Sequence, residues 1–187
     1  SELPAAVAAA SADMQATGLL GDVVICPSVA SKQAAGADLA TFTHFIESED
    51  PDGLRALART ARAITPPGGR RIAMLSIPGD RRDAEIVEMG AIAAADFDRI
   101  VFRETPDNRG RAAGEVIRLM SEGALSAGGA ADRIEGVRIE ASAVDHCLAM
   151  ARPGDVVVLT PTQIDAVWRQ VLNFRPGDHP AVTLEPP

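Results

Sequence analysis

Short β-branched runs alternate along this chain with longer stretches of helical period, and this alternation limits the fold more than any other feature. The runs are "DVVIC", "TFTHFIE", "RRIAMLSI", "DRIVFRE", "GVRIE", "DVVVLT" and "AVTL". Strands separated by helices call for crossover connections, which join parallel neighbours and place helices on the sheet faces. The pattern therefore predicts an α/β fold, three layers deep, with a mainly parallel sheet.

The helical segments carry their own punctuation. Leu54, Leu57, Ala58, Ala61 and Ile64 fall at the spacing of one buried helix face, and "PPGG" stops that helix. Ile86, Gly90, Ala93 and Phe97 form a second stripe behind Asp83, its expected N-cap, and Val116, Met120 and Gly123 form a third before "SAGGAA". Ser142 is the expected cap of a fourth helix, which carries Val144, Cys147, Leu148 and Ala151 and stops at "RPGD". A fifth is expected from Thr162 to Leu172 and carries Trp168, the single Trp. Each stripe is read as core packing. The expected organisation is an N-terminal segment of helix plus strand over 1–40, an α/β domain over 41–175, and a tail or edge strand over 176–187.

Composition excludes several classes. At 187 residues the chain suits one domain with a substantial core. No apolar run approaches the roughly 20 residues a spanning helix needs, so a soluble protein with no membrane partner is expected. Eighteen basic against twenty-six acidic residues give a net charge of −8, which argues against nucleic acid as a partner. Cys26 and Cys147 stand in apolar surroundings without a CxxC or a signal peptide, and read as buried free thiols in a reducing compartment. The Ala-rich opening lacks a basic leader and an initiating Met, so it reads as an amphipathic helix or the start of an excised fragment.

In open α/β sheets, ligands sit at the carboxyl ends of the strands. Three loops expected there are chemically loaded: "ESEDPDG", "SIPGDRRD" and "RETPDNRGRAAGE". The middle loop offers Gly79, Asp80, Arg81, Arg82 and Asp83 to a phosphate or carboxylate, or is simply a turn whose acid caps a helix. The third concentrates Arg103, Glu104, Asp107, Asn108, Arg109 and Arg111, with Glu115 behind Gly114. It suits a zwitterion, arginine for the carboxylate and acids for the amine, or is solvated loop charge. Glu47, Glu49, Asp50 and Asp52 offer oxygen ligands to Mg²⁺ or Ca²⁺ but lack EF-hand spacing; acids near a helix N-terminus are the simpler reading, and no metal site is assigned.

Common catalytic signatures are missing. The single lysine, Lys32, is not preceded by a Walker A pattern, and no GxGxxG or GxSxG occurs. His44, His146 and His179 match no metal-binding spacing. No residue is assigned as an autonomous catalyst.

The order of "DPDGLRALARTARAI", "PGDRRDAEIVEMGAIAA", "FDRIVFRE", "RGRAAGEV" and "ARPGDVVVL" resembles the C-terminal domain of the Mur ligase family, within it the cyanophycin-synthetase-like proteins, over roughly Phe45 to Thr160. The resemblance implies a Rossmann-like domain of an ATP-dependent carboxylate–amine ligase, which closes over nucleotide and helps bind the incoming amino acid. ATP and magnesium are then cofactors of the parent ligase, the partners are an ATP-binding ligase domain in cis or trans and a small amino-acid or peptide substrate, and the setting is cytoplasmic. Asp80, Arg81 and Asp83 fall at the family's loop near the interdomain active site, around the anionic reaction centre, and with Glu49, Asp50 and Pro51 are the residues the resemblance implies at the cofactor. Arg109, Arg111 and Glu115 fall at or beside its amino-acid loop, so removing either arginine is expected to weaken carboxylate binding with little change in thermal stability.

One departure concerns the cofactor. Family members carry an aromatic-Ala-His-Asn-Pro turn against the nucleotide; here Pro51 is kept, but Glu49 and Asp50 replace the His and Asn. Two like charges about 4 Å apart cost on the order of 4 kcal/mol at an effective dielectric of 20. The expectation is a weakened or lost nucleotide contact. The alternative to a ligase domain is a divergent, non-catalytic binding module for an amino acid, peptide or protein partner. A third reading is an independent small-molecule enzyme using the acids with Mg²⁺.

Overall fold

The computed structural model describes residues 24–27, 40–43, 50–174 and 184. Six strands form one sheet: β1 (Val24–Pro27), β2 (Ala40–Thr43), β3 (Arg71–Leu75), β4 (Arg99–Phe102), β5 (Ile134–Gly136) and β6 (Val156–Leu159). Their order is β1-β2-β6-β3-β4-β5. Every neighbouring pair is parallel except β1 with β2, so the expected mainly parallel α/β sheet is present.

Five α-helices cover it: α1 (Pro51–Ile64), α2 (Asp83–Asp96), α3 (Glu115–Ser126), α4 (Glu140–Met150) and α5 (Ile164–Asn173). Alternate side chains of each strand leave opposite faces, and the two faces pack against different helices. Ala73, Leu75, Ile100, Phe102, Val156 and Val158 meet α1, α2 and α3 on one side. Ile72, Met74, Val101, Val157 and Leu159 meet α4 and α5 on the other. With both faces buried, β6 reads as an unbroken "VVVL", as a central parallel strand should.

The glycine stripes have a specific use. A Cβ on Gly90 would lie 1.9 Å from the Met120 carbonyl oxygen, and one on Gly123 would lie 1.9 Å from that of Val87. The two glycines therefore let α2 and α3 pack backbone against backbone. At the opposite end of the sheet from the loops of interest, the Asp155 carboxylate accepts bonds from the Arg70 and Arg152 backbone N–H groups and the Arg70 guanidinium. This ties the turn before β6 to the start of β3.

Some expected boundaries move. The strand expected at "GVRIE" lies earlier, at Ile134–Gly136, and Glu140 instead opens α4. Ser142 is therefore inside the first turn of that helix and does not cap it. Arg82, not Asp83, holds the N-cap position of α2, with Asp83 the first helical residue. The fifth helix runs from Ile164 to Asn173. The expected N-terminal helix, Lys32, His44, Glu47, Glu49 and His179 lie outside the described residues, as does the "AVTL" run apart from Leu184.

Candidate functional site

Among the described residues, the connections after β3, β4, β5 and β6 stand at the carboxyl edge of the sheet. The first two interlock. A Cβ on Gly79 would lie 2.1 Å from the Asn108 carbonyl oxygen, so only glycine lets these loops touch. Arg111 fastens them. Its Nε donates to the Gly79 carbonyl at 2.5 Å and its Nη2 to the Arg81 carbonyl at 2.7 Å. The same guanidinium pairs with Asp83 at 2.7 Å and Glu115 at 2.9 Å. The Asp83 carboxylate holds the Arg111 guanidinium above its usual pKa, with Glu115 adding to the effect.

Above this fastening lies a more open pair. Arg109 Nη1 meets Asp80 Oδ2 at 2.7 Å, with the two side chains 50% and 51% exposed. The Arg109 guanidinium keeps the Asp80 carboxyl below the ordinary carboxylate range. Arg109 has a φ of +49°, a left-handed backbone in a residue that is not glycine, and its N–H donates to Asp107 Oδ1 at 2.8 Å. Arg81 is exposed, and its guanidinium makes no hydrogen bond or ion pair with the described residues.

Beside the rim, a cleft of about 450 Å³ is lined by Glu104, Asn108, Arg138, Glu140, Gln163 and Gln170 together with Pro106, Ala113, Ile139 and Val167; Asn108 belongs to the Arg109 loop, but Asp80, Arg109 and Arg111 do not line the cleft. Its floor is anchored by Arg103, whose side chain is only 1% exposed. Arg103 Nη2 pairs with Glu140 Oε2 at 2.8 Å and donates to the Thr160 carbonyl at 2.6 Å. Glu140 also accepts from the Thr162 and Gln163 N–H groups, at 2.6 and 2.9 Å, which caps the start of α5. Glu104 does the same for α3 by accepting from the Gly114 N–H at 2.6 Å. Two carboxylates and one arginine thus join the ends of β4, β5 and β6 to two helix N-termini. The Asn108 side-chain oxygen is shielded from water and has no hydrogen-bond partner.

The structure thus brings Asp80, Arg81, Asp83, Arg109, Arg111 and Glu115 to one rim. It does not treat the two selected arginines alike: Arg109 is at the surface, whereas Arg111 is a strut. Asp50 is the N-cap of α1, accepting from the Gly53 N–H at 2.8 Å, with Pro51 next as the first helical residue. Among the described residues, no three His, Cys, Asp or Glu side chains are grouped to hold a metal ion, and no helix is long and apolar enough to cross a membrane. Cys147 is a buried free thiol whose pKa is pushed up by that burial. Sequence reasoning left Glu140 out because it read that residue as the end of a strand. Arg103 and Glu104 carried a usable signal, being two charges directly after the apolar run of β4 at the ligand edge of the sheet.

Comparison with known proteins agrees with this architecture. The family model described as "Mur ligase, glutamate ligase domain" matches residues 48–163. Cyanophycin synthetase from Crocosphaera subtropica is 40% identical over 96 residues, covering 51% of this chain and 11% of that protein. The cyanophycin synthetase of Synechocystis sp. is 38% identical over 109 residues, covering 58% of this chain and 12% of that one. The chain therefore spans about a tenth of the length of these relatives. A solved structure of UDP-N-acetylmuramoyl-L-alanyl-D-glutamate–2,6-diaminopimelate ligase superposes with a TM-score of 0.64 at 15% identity, covering 89% of this chain and 37% of that one, and shares its fold. With more than half of its residues matched by the family model and the same fold in a solved ligase, this chain belongs to the Mur ligase family, as a glutamate ligase domain.

Proposed function

We propose that this chain is the C-terminal domain of an ATP-dependent carboxylate–amine ligase, and that it contributes amino-acid binding and domain closure without being catalytically autonomous. The observation that carries this reading is the interlocked rim, in which the half-exposed Asp80–Arg109 pair stands at the carboxyl edge of the sheet, beside a cleft that Asn108 of the same loop lines. An exposed pair of opposite charges beside a partly apolar cleft suits a small zwitterion. In this reading Arg109 takes the substrate carboxylate. Arg111 and Glu115 hold the rim in shape.

Exposed Arg81, beside Asp80 and Asp83, is the guanidinium available to an anionic reaction centre. The nucleotide and magnesium belong chiefly to an ATP-binding domain in cis or trans, in a cytoplasmic setting, with residues 41–175 as the ligase-like unit. Asp50 is already spent on capping α1, which supports a weakened nucleotide contact at the Glu49-Asp50-Pro51 turn.

Calorimetric titration of the chain with arginine, aspartate and Mg·ATP tests the reading. The expected result is amino-acid binding that Arg109→Ala weakens at least about tenfold, as loss of a charged hydrogen bond would, with Mg·ATP giving little heat. Tight Mg·ATP binding with no amino-acid signal would overturn it.

A further inference from the structure

We infer that Asp80 is a specificity-determining residue of the Arg109 site, selecting zwitterionic amino acids over acids that lack an α-amine. The inference rests on the reading above, that Arg109 receives a substrate carboxylate. It starts from the fact that Asp80 already occupies Arg109, at 2.7 Å, while half of each side chain remains open to solvent.

The loops cannot draw apart to release this pair. Gly79, the residue before Asp80, lies against the carbonyl of Asn108, the residue before Arg109. Arg111 bonds the carbonyls on both sides of Asp80, those of Gly79 and Arg81. The Arg109 backbone is fixed in its left-handed conformation by the turn that Asp107 closes. Asp80 therefore stays beside any anion that Arg109 binds.

The consequence follows from charge alone. An acid without an amine sits beside the Asp80 carboxylate whether it displaces Asp80 or takes other N–H groups of the same guanidinium, like charge against like. A zwitterion meets no such opposition. Its carboxylate takes over Asp80's place on Arg109, and its ammonium takes over Arg109's place on Asp80, so both halves of the parted pair regain a partner. Discrimination here comes as much from the penalty on the wrong ligand as from attraction to the right one.

The test titrates the 187-residue chain with two matched pairs, arginine against 5-guanidinopentanoate and aspartate against succinate, followed by NMR or calorimetry. Wild type should favour the amino acid of each pair by about two- to fivefold, the scale of one exposed ion pair. Asp80→Asn should bring that ratio close to one, chiefly by strengthening the deaminated acid, and Asp80→Glu should retain the preference. Equal affinities in wild type, or a ratio untouched by Asp80→Asn while Arg109→Ala still weakens every probe, would overturn the inference and leave the amino-acid site standing. Arg109→Ala binding all four probes like wild type, or no binding of any probe to wild type, would overturn both.

Discussion

Arg103 and Glu140 meet at 2.8 Å beside the cleft, the arginine almost completely enclosed, although 36 residues lie between them in the chain. Arg103 also bonds the Thr160 carbonyl at the end of β6 and Glu140 the Gln163 N–H at the start of α5, and both bond Thr162 between them.

Removing one partner strands the other's charge. Glu140→Ala should destabilise the chain by about 3 kcal/mol, in the range for breaking a buried pair. It also frees the Thr162 and Gln163 N–H groups. Urea denaturation checks the magnitude, and a loss below about 1 kcal/mol would show that water substitutes easily at this site.

The two rim arginines should separate in the same measurement. Arg111→Ala loses charged hydrogen bonds to two loop carbonyls and should cost about 2 kcal/mol. Arg109→Ala, half exposed, should stay within about 0.5 kcal/mol of wild type. Equal midpoints for the two variants would contradict the division into strut and surface contact.

Gly90→Ala sets two effects against each other. Alanine gains about 1 kcal/mol of helix propensity, while forcing a methyl against the Met120 carbonyl costs up to about 3 kcal/mol. The clash should win, for a net loss of about 2 kcal/mol, because the obstructing atoms are backbone. Thermal unfolding of Gly90→Ala and Gly123→Ala should show losses in both.

Acid should weaken the edge of the sheet through Glu135. This residue, on β5, pairs with both His146 and Arg99, and the His146 ring, followed by Arg99, holds its carboxyl below the ordinary value of 4.5 despite partial burial. A depressed folded-state pKa contributes stability above the unfolded value and loses it as pH falls through the folded one. Stability should therefore decline from about pH 4.5 downward, and Glu135→Gln should flatten that part of the profile. Parallel slopes for wild type and variant below pH 4.5 would sink this assignment.

The parts of the fold legible in the sequence were those set by periodicity. Leu54, Leu57 and Ala61 on α1, Ile86 and Ala93 on α2, and Phe97 directly after α2 are buried as their spacing predicts. The β5 boundary was not legible, because "GVRIE" satisfies strand composition while its last residue is recruited to open a helix and cap another. That recruitment depends on where α5 starts in space, which local pattern does not encode. The same holds at the rim. The motifs "PGDRRD" and "RGRAAGE" singled out the residues that meet, but charge type alone assigned Arg109 and Arg111 one role. Only the approach of Gly79 to Asn108 decides which of them is enclosed.

The close approach of α2 and α3, Gly90 against Met120 and Gly123 against Val87, bears on how the rim can move. Helices α2 and α3 begin directly after the Asp80 and Arg109 loops, so the rim consists of two jaws on a single stem. Any swing of this domain against a neighbour carries both jaws together and leaves their spacing unchanged. Exchange of Asp80 for a ligand at Arg109 is thereby left to side-chain torsion, which runs in picoseconds to nanoseconds at exposed positions, far ahead of the microseconds to milliseconds of a domain hinge.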